Sequence, residues 1–369
     1  MVAKKLTYKQ AGVDYDAMDP FKRLAQKSGR ATHKNLSESG FKEHKDSRGE
    51  SAYVVEQGDA YFAFVEEGLG TKNLVADAMS KITRKTYYDS LAQDTVAMII
   101  NDLITVGAQP VTVLAYWAVG DAAWFEDRQK MEALVKGWAH ACNLAGASWG
   151  GGETPTLAGV VAPETIDLAG AAFGIIKPKN RLALGKNLRA GDAIILFESS
   201  GIHANGLTLA RKIAEKLKKG YATKMPNGKM YGEALLQPTI IYARLIDAIF
   251  SSGVNIHYMT NITGHGWRKI MRNNKKLTYR IKNIPPVPAV LNFIIENGPI
   301  DIKEAYGNLN MGAGFAMFVS QKDVDKVITI AKNNKIHAYH AGNVEKGEKK
   351  VIIEPIGITY EEKTLRVKM

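Results

Sequence analysis

The chain has 369 residues, 46% of them hydrophobic and 23% charged, and this composition predicts a globular protein of two domains. No apolar run reaches the roughly 18 residues that a membrane span needs, no apolar segment typical of a secretory signal opens the chain, and the lone Cys142 excludes an internal disulfide. The net charge of +12 is scattered and does not alternate with aromatic residues, so it favours anionic small molecules over nucleic acid. We therefore expect a cytoplasmic protein without a membrane or nucleic-acid partner.

The first quarter of the chain predicts one hairpin after an irregular start. A short helix is expected with Pro20 in its first turn, and the polar residues 28–50 are expected to form a loop. Residues 52–66 contain two β-rich runs around Gly58, which indicates a hairpin. The segment Glu67–Lys72 then supplies an acid, two glycines, a hydroxyl and a lysine without the order of a P-loop. It is either a phosphate-binding turn or a hairpin end with surface charge.

The clearest helix is predicted over residues 89–107, because apolar residues recur there at helical spacing. Asp94 and Asn101 lie seven residues apart and so share one side of that helix, with Asp102 beside them. Such residues can bind a ligand, although a solvated polar face is the commoner explanation. A strand over 111–119 and a helix over 125–144 follow.

A glycine run at residues 150–152 leads into Glu153 and is predicted to be a turn between a helix and the strand 166–176. Such a turn can hold phosphate or a metal-bound nucleotide, or it can only let two backbones pack closely. Lys177–Lys179 surrounds a proline after the strand and marks the expected boundary between domains 1–176 and 177–369.

The second half contains two glycine-rich helix starts. Ser199–Gly206 follows an apolar strand and precedes an amphipathic helix, a position where free backbone amides favour an anion. Ordinary capping by Ser200 or Asn205 is the alternative. Residues 260–266 form the second such start, and a helix is expected over 238–250.

The order of these motifs resembles the phosphoribosylformylglycinamidine cyclo-ligase (aminoimidazole ribonucleotide synthetase) family, within a wider ATP-using superfamily of one two-domain fold. The matching segments are Tyr8–Asp14, Glu67–Lys72, Asp94–Leu103, Gly107–Pro110, Gly151–Thr154, Asp167–Gly170, Ser199–Gly206, Pro238–Tyr242 and Asn310–Gly314. The chain departs from the family pattern at residues 155–161, at His265, where the family has glycine, and in the polar segment 28–50. These departures bear on the identity of the substrate more than on the use of ATP.

The resemblance implies an α+β fold of two α/β domains, in which the N-terminal mixed sheet forms a barrel-like homodimer interface and the C-terminal half is an α/β sandwich. It implies ATP-dependent ring closure of formylglycinamidine ribonucleotide, with Mg²⁺. The implied metal ligands are Glu67, Asp94, Asp102 and Glu153; the implied ATP-binding residues are Gly68, Gly70, Thr71, Lys72, Asp94, Asn101, Gly151 and Gly152. The implied substrate-binding residues are Ser200, Gly201, His203, Asn205, Thr263 and Gly264, and His203, Lys72 and Glu153 are the implied catalytic residues.

Two other functions stay open on the sequence. A sister enzyme of the same fold, acting on another phosphorylated metabolite, is favoured by the altered residues 155–161. A non-catalytic or nucleic-acid-binding descendant is suggested by the net charge of +12. The retained acids and Lys72 argue against that second alternative, because a protein that only binds a partner does not need a metal cluster.

Overall fold

A computed structural model describes residue 12 and residues 15–365, and in this part of the chain each half builds its own mixed sheet. Most of the segment Tyr8–Asp14, which opens the motif series, lies outside the described residues. No described helix is long and apolar enough to cross a bilayer. The architecture is α+β, with two domains that each combine a mixed sheet with helices, as predicted.

The first half places helices around a six-stranded sheet of order β1-β2-β3-β6-β4-β5, in which the β4–β5 pair is parallel and the other pairs are antiparallel. Its elements are α1 (Tyr15–Ala31), α2 (Asn35–Glu38), β1 (Lys42–Glu43), β2 (Tyr53–Gln57), β3 (Ala60–Gly68), α3 (Lys72–Thr83), α4 (Tyr88–Leu103), β4 (Gln109–Val119), α5 (Arg128–Ala145), β5 (Ser148–Glu153) and β6 (Ile166–Ile176). The hairpin, the α4 helix and the β6 strand agree with the sequence prediction.

The second half contains a seven-stranded sheet of order β13-β12-β9-β11-β7-β10-β8, antiparallel except between β9 and β12. Its elements are β7 (Ala193–Glu198), α6 (Leu207–Lys216), α7 (Tyr231–Leu235), α8 (Ala243–Ser251), β8 (Ile256–Asn261), β9 (Leu277–Ile281), α9 (Ala289–Asn297), α10 (Ile302–Asn308), β10 (Ala313–Val319), α11 (Val324–Asn333), β11 (Ala338–Lys346), β12 (Lys350–Ile353) and β13 (Ile358–Glu361).

Helix α4 is the centre of the molecule, because it is covered on both sides. Its apolar face packs on the inner face of the first sheet, and its polar residues Asp94, Asn101 and Asp102 are also buried. They contact the second half through residues 238–242 and β8. The polar side of α4 is therefore an internal contact between the halves and not a solvated face.

Three features differ from the sequence prediction. Residues 28–50 are not one loop, since α1 continues to Ala31 with Pro20 inside it and α2 and β1 follow. The helix predicted at Pro20 is thus present, but it begins earlier, at Tyr15, and it extends into the segment that was predicted to be a loop. The expected barrel is also absent within the chain, because neither sheet closes on itself in the described part and β1 and β5 remain edges.

The glycine run is an edge strand and not a turn. Trp149 packs against Trp117 and Trp138, with ring centroids 5.4 and 6.3 Å apart, and anchors β5 on β4. A Cβ added to Gly152 would lie 2.2 Å from the carbonyl oxygen of Ala115, so only glycine fits beside the neighbouring strand. Close backbone packing, the alternative left open by the sequence, therefore explains this glycine.

The outer face of the first sheet is apolar and partly uncovered. Phe173 lies between Phe62 and Phe64, with ring centroids 5.7 and 5.4 Å away. Phe64, Val111 and Leu114 are each more than two-fifths exposed. This face points away from α4 because side chains alternate along a strand.

Candidate active site between the two halves

Lys72 is fully buried where α3 begins, and it joins the two halves. Its Nζ lies 2.6 Å from Asp94 Oδ2 and donates to the carbonyl oxygens of His203, at 3.0 Å, and Gln237, at 3.1 Å. Burial lowers the pKa of Lys72 and raises that of Asp94, and each charge opposes the shift of the other. All three ammonium hydrogens are engaged. The geometry thus departs from the expectation that Lys72 contacts ATP phosphates.

Asp94 and Asn101 bind a backbone segment of the second half. Asp94 Oδ1 accepts from the amide of Thr239 at 2.8 Å and from its hydroxyl at 2.5 Å. Asn101 donates to the carbonyl of Ile240 at 2.8 Å and accepts from the amide of Tyr242 at 3.0 Å. These contacts occupy the groups that were expected to bind metal and ATP, so the structure gives those two assignments no support.

His203 is a buried member of the Ser199–Gly206 loop. It adopts a left-handed backbone conformation with φ of 60°, and its Nε2 accepts from the amide of Ser200 at 3.2 Å. Burial, with the nearby Lys72 charge, lowers the pKa of His203 to about 3. The ring is therefore neutral near pH 7 with its proton on Nδ1, which favours a role in holding the loop over proton transfer.

The remaining predicted substrate residues of this loop are fixed by other contacts. The Ser200 hydroxyl donates to the carbonyl of Pro238 at 2.5 Å, and the Asn205 amide lies 3.6 Å from the sulfur of Met98. Asn310 donates to the carbonyl of Gly201 at 2.8 Å. The motif around Asn310 was visible in the sequence, but its contact with this loop was not.

A charged cluster lies where β3, α4 and β8 end. Burial raises the pKa of Glu67 to about 7, and the carboxylate of Asp102 adds to the shift. Lys269, in the 3₁₀ helix Gly266–Met271, has a pKa lowered to about 8 by burial, although Asp102 opposes this. Its Nζ donates to Thr263 Oγ1 at 2.6 Å, and Asn261 donates to Asp102 Oδ1 at 2.8 Å. We name Glu67, Asp102, Thr263 and Lys269 the junction cluster.

The junction cluster has the chemistry of a cation and phosphate site. Two carboxylates in a poorly hydrated place repel one another, and a divalent cation with a preference for oxygen ligands, such as Mg²⁺, relieves that repulsion. The turn after Glu67 runs through Gly68 and Gly70, whose φ is 74°, to Thr71 and the start of α3. Thr71, the N-cap residue of that twelve-residue helix, makes no side-chain cap bond, and free amides at a helix start favour an anion.

Helix α1 lies against the same region. His265 Nε2 is 3.9 Å from Asp19 of α1, and burial, with nearby positive charges, lowers the pKa of His265 to about 2. Lys22 of α1 lowers the pKa of Glu67 to a smaller extent than burial raises it. Sequence reasoning missed Asp19, Lys22 and Lys269, because no motif marks an isolated charge that tertiary packing brings to a site.

Glu153, Gly151 and Gly152 lie away from the junction cluster. Register places Glu67, Gly170, Ala115 and Gly152 in one row across four strands, so Glu67 and Gly152 are about 14 Å apart at ~4.8 Å per strand. Glu153 follows Gly152 and so points to the outer face. Within one chain the structure thus brings together two of the four predicted metal ligands, Glu67 and Asp102, and not the other two.

The junction cluster predicts a pH-dependent response to magnesium. The pKa of Glu67 is about 7 in the folded chain against 4.5 for the free group, so stability from this residue is present below pH 4.5 and is lost as the pH rises through about 7. Mg²⁺ should therefore raise the melting temperature more at pH 8 than at pH 6. We expect Glu67→Gln to abolish this difference, of about 1–3 °C, in a thermal-shift assay, while the exposed neighbour variant Glu66→Gln keeps it.

Comparison with known protein families matches both halves. The AIR synthase related protein N-terminal domain matches residues 49–176, and the corresponding C-terminal domain matches residues 189–354. A phosphoribosylformylglycinamidine cyclo-ligase of Pyrococcus furiosus is 34% identical over 362 residues, covering 96% of this chain and 99% of the relative. One of Methanocaldococcus jannaschii is 34% identical over 343 residues, covering 92% of each chain.

Solved structures show the same fold at low identity. The HypE–HypF complex contains a chain with a TM-score of 0.60 and 17% identity, covering 85% of this chain and 92% of that one. ThiL complexed with AMPPCP and TMP aligns with a TM-score of 0.56 and 16% identity, covering 85% and 90%. Thermotoga maritima PurL complexed with FGAR aligns with a TM-score of 0.55 and 17% identity, covering 82% of this chain and 45% of that one.

Proposed function

This chain belongs to the AIR synthase related family, among relatives named phosphoribosylformylglycinamidine cyclo-ligase, and on that premise we propose that it closes the imidazole ring of formylglycinamidine ribonucleotide at the expense of ATP. As a member of that family it is a ligase. The observation that carries the proposal is the junction cluster, which combines two carboxylates from one half with an amine and a hydroxyl from the other. The cytoplasmic location expected from the sequence stays a prediction.

The proposed reaction needs positioning and charge neutralisation more than covalent work by the protein. The amide oxygen of the substrate is a poor leaving group, so it first takes the γ-phosphoryl group of ATP. The substrate's own nitrogen then attacks the activated carbon, loses its proton, and phosphate leaves. A site at the junction of two halves suits this sequence, because it can hold two phosphorylated molecules in one place.

Glu67 and Asp102 are the proposed magnesium ligands. Magnesium would neutralise phosphate charge during phosphoryl transfer. Gly68, Gly70 and Thr71 would hold the phosphates of ATP on the free amides before α3. Lys269, held by Thr263 at 2.6 Å, places a second positive charge beside the carboxylates.

The second substrate is proposed to bind beside the Ser199–Gly206 loop. A pocket of about 370 Å³ opens next to Ser200 and is also lined by Lys229, Asn227 and Gln237, which suit a phosphate and a ribose. Thr263 and Gly264 do not line this pocket, and Thr263 bonds Lys269 in the junction cluster; a contact of these two residues with the second substrate stays a prediction from the sequence. His203 keeps the loop in shape as a positioning residue, because its ring bonds the Ser200 amide.

The decisive experiment incubates the purified chain with formylglycinamidine ribonucleotide, ATP and Mg²⁺, and follows aminoimidazole ribonucleotide and phosphate. We expect both products in equal amounts, and neither without ATP. Hydrolysis of ATP that depends on another phosphorylated metabolite, with no aminoimidazole product, would favour the sister-enzyme alternative. That alternative is supported by residues 155–161, which replace the family's pattern directly after Glu153 and include Val160, 81% exposed.

We also propose that the chain is a homodimer through the outer face of its first sheet. Phe64, Val111 and Leu114 expose apolar surface there, and a second copy would cover it. Glu153 also lies on this outer face, so the same contact would place it close to the partner subunit. Neither sheet closes into a barrel within the described part of one chain, so a barrel-like interface would need strands from both subunits.

Leu114→Lys is expected to convert the protein to a monomer, because it places a charge in the centre of the proposed apolar contact. Light scattering after size exclusion measures the mass directly. Val160→Lys introduces the same charge at a more exposed apolar residue outside this face and should leave the mass unchanged. A wild-type protein that is monomeric at micromolar concentration would refute the proposed dimer.

A further inference from the structure

A second cavity lies at the opposite end of the strands that lead to the junction cluster. It has a volume of about 1240 Å³, and its lining includes Tyr61 at the start of β3 and Ile256 at the start of β8. The same two strands end at Glu67 and Asn261, beside Asp102. Along each strand, five to six residues separate the end at the cavity from the end at the junction cluster. The cavity is therefore about 17–20 Å from the junction cluster. We name it the linker cavity, because residues 178–182 also line it.

The linker cavity is lined by four basic side chains and one carboxylate, that of Asp46. Lys179 already bonds Glu56, at 2.5 Å, and Arg181 bonds Asp247, at 3.0 Å. The other two, Lys186 and Lys275, form no ion pair with any described residue. These two amines are therefore not neutralised by a direct ion pair, although the carboxylate of Asp192 acts on Lys275 from a distance.

Lys275 is held in place although no acid pairs with it. Its Nζ donates to the carbonyl oxygens of Lys186, at 2.8 Å, and Leu188, at 2.7 Å, which leaves one ammonium hydrogen for a ligand. A fixed amine loses less conformational entropy on binding than a free lysine does. Lys275 is an exposed residue, but these two bonds orient its amine toward the cavity wall.

A buried histidine–aspartate pair adjoins these lysines. His257 and Asp192 are 3% and 2% exposed, and His257 Nδ1 lies 2.8 Å from Asp192 Oδ2. The same carboxylate oxygen accepts from the amide of Arg189 at 2.9 Å, which fixes its orientation. Nε2 of His257 makes no hydrogen bond to a described residue, and the ring lines a chamber of about 300 Å³. That chamber shares Lys186 and Lys275 with the linker cavity.

The larger part of the linker cavity has apolar and amide walls. Tyr61 and Phe250 contribute aromatic rings, each with a basic group over it at 5.1 and 4.4 Å. Asn180 and Asn255 add amide donors and acceptors. A phosphate beside Lys186 and Lys275 would thus continue into a space suited to a ribose or a base.

We propose that the linker cavity binds a phosphorylated small molecule of nucleotide size, with its phosphate between the amines of Lys275 and Lys186. This site is separate from the junction cluster, and the inference does not rest on the proposed function. It follows from the oriented amine of Lys275, the unpaired amine of Lys186 and the aromatic and amide walls beside them.

The test measures binding of pyrophosphate and of ADP by calorimetry, both without Mg²⁺, to the full chain and to two variants. Lys186→Glu changes an exposed residue without an ion pair, so the fold should persist, and Lys275→Met keeps the aliphatic stem. We expect each variant to bind pyrophosphate at least about fivefold more weakly than the wild type. ADP should bind more tightly than pyrophosphate if the aromatic part is used.

The matched control is Lys218→Glu, which makes the same charge change at an exposed residue outside both lining sets. The Lys218→Glu variant should change the affinity for pyrophosphate by less than about twofold. The proposal is overturned if the wild type binds neither probe at about 1 mM. It is equally overturned if the probes bind and neither Lys186→Glu nor Lys275→Met weakens them.

Discussion

Asp94→Ala is expected to destabilise the protein by about 3–5 kcal/mol, because it leaves the Lys72 ammonium buried without its counter-charge. The pair is fully buried at 2.6 Å, and the same carboxylate also binds the amide and hydroxyl of Thr239. A loss of this size should appear as a large fall in melting temperature or as insoluble protein. Chemical denaturation measures it directly where the variant is soluble.

Two further variants separate the buried charge from general damage. Lys72→Met combined with Asp94→Leu removes both charges and should recover much of the lost stability, since no unpaired ion remains. Lys81→Met changes an exposed lysine of the same helix and should alter stability by less than about 0.5 kcal/mol. Unchanged stability of Asp94→Ala would show that the pair does not hold the halves together.

Asp102→Asn is expected to lower kcat/KM for the proposed ATP-dependent reaction by about 10²–10³-fold, in line with the loss of a preorganised electrostatic group. The substitution keeps the shape of the side chain and its contact with Asn261, so the fold should survive. It removes one of the two negative charges that are proposed to hold magnesium. Steady-state kinetics with varied ATP at several Mg²⁺ concentrations measures the change.

Asp89→Asn is the matched control, because Asp89 is an exposed residue of the same helix. It should leave kcat/KM within about twofold of the wild type. Full activity of Asp102→Asn at low Mg²⁺ would remove Asp102 from the proposed metal site. Glu67 would then be the only carboxylate of the junction cluster still proposed to bind magnesium.

The sequence predicted helix α4 and strand β6. The helix was found because apolar residues recur in it at helical spacing, and the strand because its residues form a β-type apolar stretch. The family resemblance also located Glu67 and Asp102, which the structure places in one cluster. Local pattern and motif order were enough for these features.

The sequence did not predict the contacts that Lys72, Asp94 and Asn101 make with the second half. A buried polar contact and a ligand site use the same residue types at the same helical spacing, and only the position of residues 237–242 distinguishes them. The glycine run was misread for a similar reason. Three glycines permit a turn, but the tryptophan packing that makes them a strand lies in α5 and β4.

The double burial of α4 has a consequence for how the two halves fold. Each half has its own sheet, but one helix supplies core to both, and Lys72 finds two of its three acceptors in the second half. A fragment that ends near residue 176 would expose buried charge and a polar helix side designed for backbone contact. The halves should therefore melt in a single cooperative transition, and a destabilising change in either half should be felt throughout the chain.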